Sequence, residues 1–321
     1  MRINPEHVAE TLRASPVFKG KRHIRAVSRT LSGFARDQGI VNGDDAAAIP
    51  DGDGYLLLAA DGITTGLIQD NPYLAGRCAV LANVNDIYAM GGRPIAMVDV
   101  LGAIDDQGAM EICRGMRDNA ARFKVPIVGG HILRTRFEPC LALAILGRAR
   151  RLITSFDAAP GDALVLVTKP RGQWLGQYGF FNCTPDAEDA TLVSNLELLP
   201  LAAEAGLVRA GKDVSMAGIA GTTLMLAESS KTGAVLDLDT IRPPEGVDLA
   251  PWLLAFFSYG FVLAVDPVKT VPLCAHFRQA GLSALTIGEM HPGSSVVLRA
   301  SGRQAELWNH RDNPFTGFAK P

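Results

Sequence analysis

The stretch NGDDAAAIPDGDGYLLLAADG, residues 42–62, places Asp44 and Asp45 in a glycine-led turn and Asp61 at the end of an apolar strand. Asp after Gly is ordinary turn chemistry, and an Asp closing a strand before Gly is equally ordinary. A solvated turn and a set of ligand carboxylates look alike here, so the surrounding chain has to decide between them. Upstream, helical spacing puts Ile24, Val27, Leu31 and Phe34 on one face. Downstream, residues 72–90 read as a long helix rich in small residues, stopped by Gly91 and Gly92. PIAMVDVLGA follows as a buried strand. DQGAMEICRGMRDNAARFK is then an amphipathic helix with Ile112, Met116 and Ala120 along one side. The short apolar runs VPIV and CLALAILG complete this half.

Turn chemistry at Pro160, Gly161 and Asp162 breaks the pattern, so two domains are expected, residues 1–150 and 151–321. The second half has the strand ALVLVTK, helices over residues 186–205 and 218–229, and the strands AVLDLD and GFVLAVD. A helix over residues 268–281 and a last strand, SSVVLRA, follow. Strands separated by single helices and irregular connections predict an α+β fold of α/β sandwiches rather than one doubly wound sheet.

With 321 residues, 48% of them hydrophobic, 20% charged and 33 of them glycine, the composition suits a compact globule with many tight turns. A formal net charge of −2 gives no electrostatic reason to expect nucleic acid or an acidic membrane as partner. The five cysteines are widely spaced with no CxxC pair, which reads as reduced thiols in a cytoplasmic protein. The first fifteen residues are too polar for a secretion signal, and no apolar run approaches the roughly 20 residues a membrane helix needs.

Asn83 and Asp86 are three apart on the long helix and share a face built from Ala and Val. A carboxylate there needs a partner, because burial without one costs several kcal/mol or forces its neutralisation. Either Asp86 pairs with Arg77 or Arg93, or Asp86, Asp45 and Asp61 converge on a cation. Mg²⁺ takes a few carboxylates plus water and phosphate oxygens. No calcium-loop ladder and no zinc-ligand spacing is present. For phosphates, VGGHILRTR offers Gly129 and Gly130 after a strand, followed by Arg134 and Arg136. FKGKRH offers Lys19, Lys21 and Arg22. Each of these also reads as a plain turn or a solvated charge run. GLVRAGKD, residues 206–213, imitates the front of a phosphate loop. Asp213 stands where Ser or Thr is required, and the preceding segment is not a strand, so a P-loop is rejected.

Taken in order, GDDAAAI, AADG, NVNDIYAMGGRPIA, VPIVGGH, PGDALVLV, DVSMAGIAGTTLMLAESS and IGEM resemble the superfamily of ATP-dependent enzymes named for aminoimidazole ribonucleotide (AIR) synthetase. Its members include thiamine-monophosphate kinase, selenophosphate synthetase and a hydrogenase-maturation dehydratase. The local likeness is greatest to selenophosphate synthetase. The resemblance implies ATP and Mg²⁺ as cofactors, Asp45, Asp61, Asp86 and Asp213 as metal ligands, and Lys21 as the catalytic lysine on a mobile N-terminal segment. It also implies that Asn83, Gly129, Gly130, His131 and Arg134 serve the nucleotide or a small-molecule substrate. It further implies a homodimer whose N-terminal domains pair their strands into a β-barrel.

The departures are specific. SPVFKGKRH lacks the reactive Cys that precedes the lysine in the selenium enzyme, and the first cysteine of the chain is Cys78. The thiamine kinase pattern after the second strand is replaced by GITTGLIQDNP. A kinase of the thiamine-monophosphate type and a non-catalytic ATP-binding accessory protein are the alternatives.

Overall fold

The computed structural model describes residues 3–31, 40–103, 105–185 and 187–320. The chain forms two compact units, one of residues 1–44, 153–185 and 202–321, the other of residues 45–152 and 186–201. A single cut near residue 150 does not describe this division. The first 44 residues group with the later half because they pack there: Phe18 is buried, and Arg13 Nη1 donates to the Glu306 carbonyl at 2.7 Å. Residues 186–201 group with the earlier half, where Asp189 binds Arg122 at 2.7 Å and Glu197 binds Arg93 at 2.8 Å.

Numbered in chain order, helices α1 (Pro5–Ala14), α2 (Pro16–Lys21) and α3 (Ile24–Leu31) belong to the larger unit. Proline opens both α1 and α2 in the first turn, where its missing N–H is not needed. Helix α3 departs from its expected packing. Val27 and Leu31 are 49% and 47% exposed, and its buried residue is Ser28. Phe34 lies outside the described residues.

The smaller unit is built on β1 (Ala47–Asp51), β2 (Gly54–Ile63), α4 (Thr65–Asp70), α5 (Pro72–Ala89), β3 (Arg93–Ala103), α6 (Asp106–Phe123), β4 (Ile127–Arg134) and β5 (Cys140–Ala149). The five strands run in the order β1-β2-β5-β3-β4, an open sheet with β1 and β4 at its edges. A closed barrel is not formed among the described residues of the chain. Helix α5 starts on Pro72 with Asn71 accepting from the Leu74 N–H, and it stops at Gly91, whose φ of +74° only glycine adopts without strain. Its small residues have a structural use: a Cβ on Gly76 would collide with the Ile112 carbonyl of α6, and one on Gly115 with the Tyr73 carbonyl of α5. The two helices therefore cross with their backbones nearly touching. Leu141, Leu143, Ile145, Met97 and Leu101 pack on the helical side of the sheet. The opposite face is uncovered among the described residues, so β3 is not the buried strand its sequence suggested: Val98 and Val100 are 44% and 45% exposed.

Helix α7 (Asp189–Glu204) follows β6 (Ala163–Thr168), β7 (Gln173–Leu175) and β8 (Phe180–Asn182). The chain continues through β9 (Ala210–Asp213), α8 (Gly218–Ser229), β10 (Gly233–Asp237), α9 (Leu249–Leu254), β11 (Phe256–Phe257) and β12 (Gly260–Val265). It ends through α10 (Thr270–Arg278), β13 (Ser283–His291), β14 (Ser295–Ala300) and β15 (Arg303–Asn309). The larger unit's main sheet has the order β15-β14-β10-β13-β6-β12-β9. Every residue of β12 and of α8 is buried, which explains their nearly continuous apolar sequence. The small sheet β11-β8-β7 is held by aromatic packing of Trp252 on Phe181 and Phe257. Strand β15, which the sequence pattern did not announce, extends the main sheet beyond SSVVLRA.

Candidate functional site

In the smaller unit Asp61 stands near the end of β2, in register with Leu143 and on the side of the sheet that carries Leu57 and Ala59. Asp86 is 8% exposed on α5, and Asn83, one turn earlier, is fully buried. Asn83 Nδ2 donates to the Ala79 carbonyl at 2.9 Å, and its Oδ1 has no hydrogen-bond partner among the described residues. Asp45 lies in the bend before β1, half-buried. Each of these acids already has a polar or electrostatic interaction in the structure. Among the described residues no three of His, Cys, Asp and Glu are grouped so as to hold a metal ion. The structure thus does not bring Asp45, Asp61 and Asp86 into a preformed cage.

Strand β4 carries Gly129, Gly130, His131 and Arg134 along an exposed sheet edge. Gly130 has a packing reason to lack a side chain, since a Cβ there would collide with the carboxylate of Asp99. Burial in turn pushes the Asp99 carboxyl above the usual range. Asp99 lines a cavity of about 600 Å³ with Met116, Lys124 and Ile127, a site sequence reasoning did not single out. A Cβ on Gly129 would make only ordinary van der Waals contact, with Val98 Cγ1 at 3.9 Å. Arg134 pairs with Asp106 at 2.7 Å, both largely solvated, a contact of small energetic weight.

In the larger unit Asp213 ends β9, 3% exposed, and its carbonyl accepts from Thr222 Oγ1 at 3.1 Å. The loop that follows reaches α8 through Ala217 and Gly218, both with positive φ, at +76° and +62°. Lys21 is the last residue of α2, and its Nζ lies 3.5 Å from Ser215 Oγ in this loop, two residues beyond Asp213. Two positions far apart in sequence thus meet in one unit. The expected mobile segment around Lys21 is instead a helix, anchored by Phe18, whose ring packs 4.8 Å from that of Phe315. Ser215 was within the quoted DVSMAGIAG, but no spacing rule marked it.

Asp44 and Asp45, indistinguishable in sequence, have different surroundings. The Asp44 carboxylate is buried, accepts from the Ser155 N–H at 2.8 Å and lies 3.7 Å from Lys212 Nζ. Lys212, the lysine of the phosphate-loop imitation, sits on a strand and completes a buried ion pair. Three cysteines, Cys78, Cys183 and Cys274, are buried, and Cys113 and Cys140 are exposed.

Residues 43–149 match the model of the AIR synthase related protein N-terminal domain, and residues 159–301 that of the C-terminal domain. The chain is 50% identical over 279 residues to the Synechocystis protein sll0787, covering 86% of each chain; that protein's name assigns no activity. It is 28% identical over 282 residues to a selenide, water dikinase of Aeromonas salmonicida, covering 82% of this chain and 80% of that one. Its fold is similar to that of Thermotoga maritima PurL complexed with ATP, with a TM-score of 0.76 and 20% identity over 98% of this chain. The chain spans 53% of that PurL, about half its length.

Proposed function

The chain belongs to the AIR synthase related family, and from that premise we propose that it is an Mg²⁺-dependent enzyme that uses the phosphoryl group of ATP on a small-molecule substrate. The observation that carries this reading is the position of Lys21 beside Ser215 in the loop after Asp213. A lysine beside the loop that follows a buried aspartate supplies a cation and a carboxylate to one end of a metal-bound triphosphate. Similarity to a selenide, water dikinase favours activation of a small nucleophile, in a version lacking the N-terminal cysteine. The fold shared with ATP-complexed PurL supports the choice of nucleotide.

The candidate donors Asp45, Asp61, Asp86 and Asp213 are all carboxylates, and no preformed cage exists among the described residues. That donor set fits Mg²⁺, which takes few protein ligands and completes its shell with water and nucleotide oxygens. When bound, the ion neutralises charge developing between the phosphates. Lys21 offers a cation to the transferred group, and its helix keeps that cation oriented. Asn83 Oδ1, buried on the face of α5 that carries Asp86, holds an acceptor ready for a donor. A homodimer joined through the uncovered face of the five-stranded sheet is part of the proposal, because Leu58, Val98, Val100 and Leu146 form an apolar surface there.

Calorimetry tests the carboxylates of the smaller unit as metal-nucleotide ligands. Asp45→Asn and Asp86→Asn should each weaken Mg-ATP binding by at least tenfold with unchanged circular dichroism; unaltered affinity in both removes the proposal. A panel of small acceptors with wild-type protein, read for ADP, AMP or neither, separates a catalyst from an accessory protein that binds ATP without turnover.

A further inference from the structure

Glu228, at the C-terminal end of α8, is 4% exposed, yet its carboxylate is fully engaged. Oε1 accepts from the N–H groups of Phe315 and Gly317 at 2.6 and 3.3 Å; Oε2 accepts from the N–H and hydroxyl of Thr316, both at 2.7 Å. Charge-assisted bonds of this kind are about twice as strong as neutral ones. They tie the turn 315–318 to the helix that follows the Asp213 loop.

This turn and the residues just before it pack against α2, which carries Lys21, against α3, and against the glycine before Asp44. Phe315 packs against Phe18 of α2 with ring centroids 4.8 Å apart, and Trp308 closes the cluster at 5.9 Å from Phe18. Asn313 Oδ1 accepts from Arg25 Nη2 of α3 at 2.6 Å. Gly317, with φ +80°, lies so near Ser28 that a Cβ would stand 2.6 Å from its hydroxyl oxygen. The ring of Phe318 fills the space beside Gly43, which opens the Asp44–Asp45 turn and itself has φ +114°. Phe18, Arg25, Ser28, Trp308, Asn313 and the 315–318 turn fall outside the family-matched ranges 43–149 and 159–301, whereas Gly43 and Glu228 fall within them.

We infer that Glu228, acting through the 315–318 turn, is a positioning residue for Lys21 and for the glycine turn before Asp45. The inference rests on the proposed ATP site for its meaning but not for its test. Loss of the carboxylate's bonds frees the aromatic cluster that seats α2, and Lys21 loses its fixed place at Ser215.

Amide hydrogen exchange on Glu228→Gln and on the milder Thr316→Val should show residues 17–23 exchanging at least tenfold faster than in wild type. Helix α10, which makes none of these contacts, should stay within twofold, and Thr316→Ser should behave as wild type. Unchanged exchange in 17–23 overturns the inference. So does equal loosening of α10, which makes Glu228 a brace of the whole unit. Where wild type turns over ATP, Thr316→Val should lower kcat at least fivefold with KM within twofold; an unaltered kcat beside a loosened α2 also overturns it. A wild-type protein that does not bind Mg-ATP sinks the proposed function, while the exchange result still judges the tether.

Discussion

At the scale of single residues, like side chains separate by what surrounds them. Asp44 answers to Lys212 and Ser155, so removing the lysine leaves a buried carboxylate short of its counter-charge. Lys212→Met should cost about 3–5 kcal/mol in urea denaturation, and the double variant with Asp44→Leu should recover most of it. Under the proposed function, Lys21 faces a charge that grows during transfer. Lys21→Ala should therefore lower turnover far more than ATP affinity, with Lys19→Ala, exposed on the same helix, as control. Equal small effects of both substitutions would make Lys21 a solvated charge. Among the thiols, burial pushes Cys78 up to about 12 and Cys183 to about 11. Iodoacetamide at pH 8 should label the exposed Cys113 and Cys140 first, read by mass spectrometry, and leave Cys78 unmodified until the protein unfolds.

At the scale of elements, the crossing of α5 on α6 depends on two glycines facing each other's backbones. Gly76→Ala or Gly115→Ala places a methyl group against a carbonyl that belongs to the opposing helix and cannot rotate away. Each should destabilise by about 1–3 kcal/mol, the usual range for overpacking, seen as a lowered denaturation midpoint with unchanged cooperativity. Gly129→Ala, whose added methyl would meet nothing closer than Val98 at 3.9 Å, serves as the neutral control for stability. Helix α3 shows the opposite case. Its apolar periodicity is present in the sequence, yet Ser28 is the residue that packs, against a glycine, Gly317, whose added Cβ would stand 2.6 Å from the Ser28 hydroxyl oxygen.

At the scale of the molecule, the five-stranded sheet has helices on one face and, among the described residues of its unit, none on the other. A contiguous apolar sheet face with open edges favours self-association. Light scattering at micromolar concentration should give a dimer, and Val98→Asp, placed mid-face, should give a folded monomer. A wild-type monomer that still binds Mg-ATP would separate assembly from nucleotide binding. No helix of the described residues is long and apolar enough to cross a membrane.

The sequence by itself determined the α+β class and most central elements. α8 over Gly218–Ser229 and the strands β5, β6 and β12 were legible because buried elements write unbroken or alternating apolar runs. It also determined the family, since ordered motifs such as GDDAAAI and NDIYAMGGRP survive without any knowledge of geometry. Short or half-exposed elements, among them α2 and β15, left no such pattern. Nor did the sequence show that residues 1–44 join the later half: that grouping comes from contacts between segments nearly 300 residues apart, such as Arg13 with Glu306. Which of two adjacent aspartates is buried against a lysine, which glycine makes room for Asp99, and where Lys21 comes to rest were likewise decided only in three dimensions. Charge, burial and close packing depend on neighbours that the chain brings together by folding, and local residue patterns do not record them.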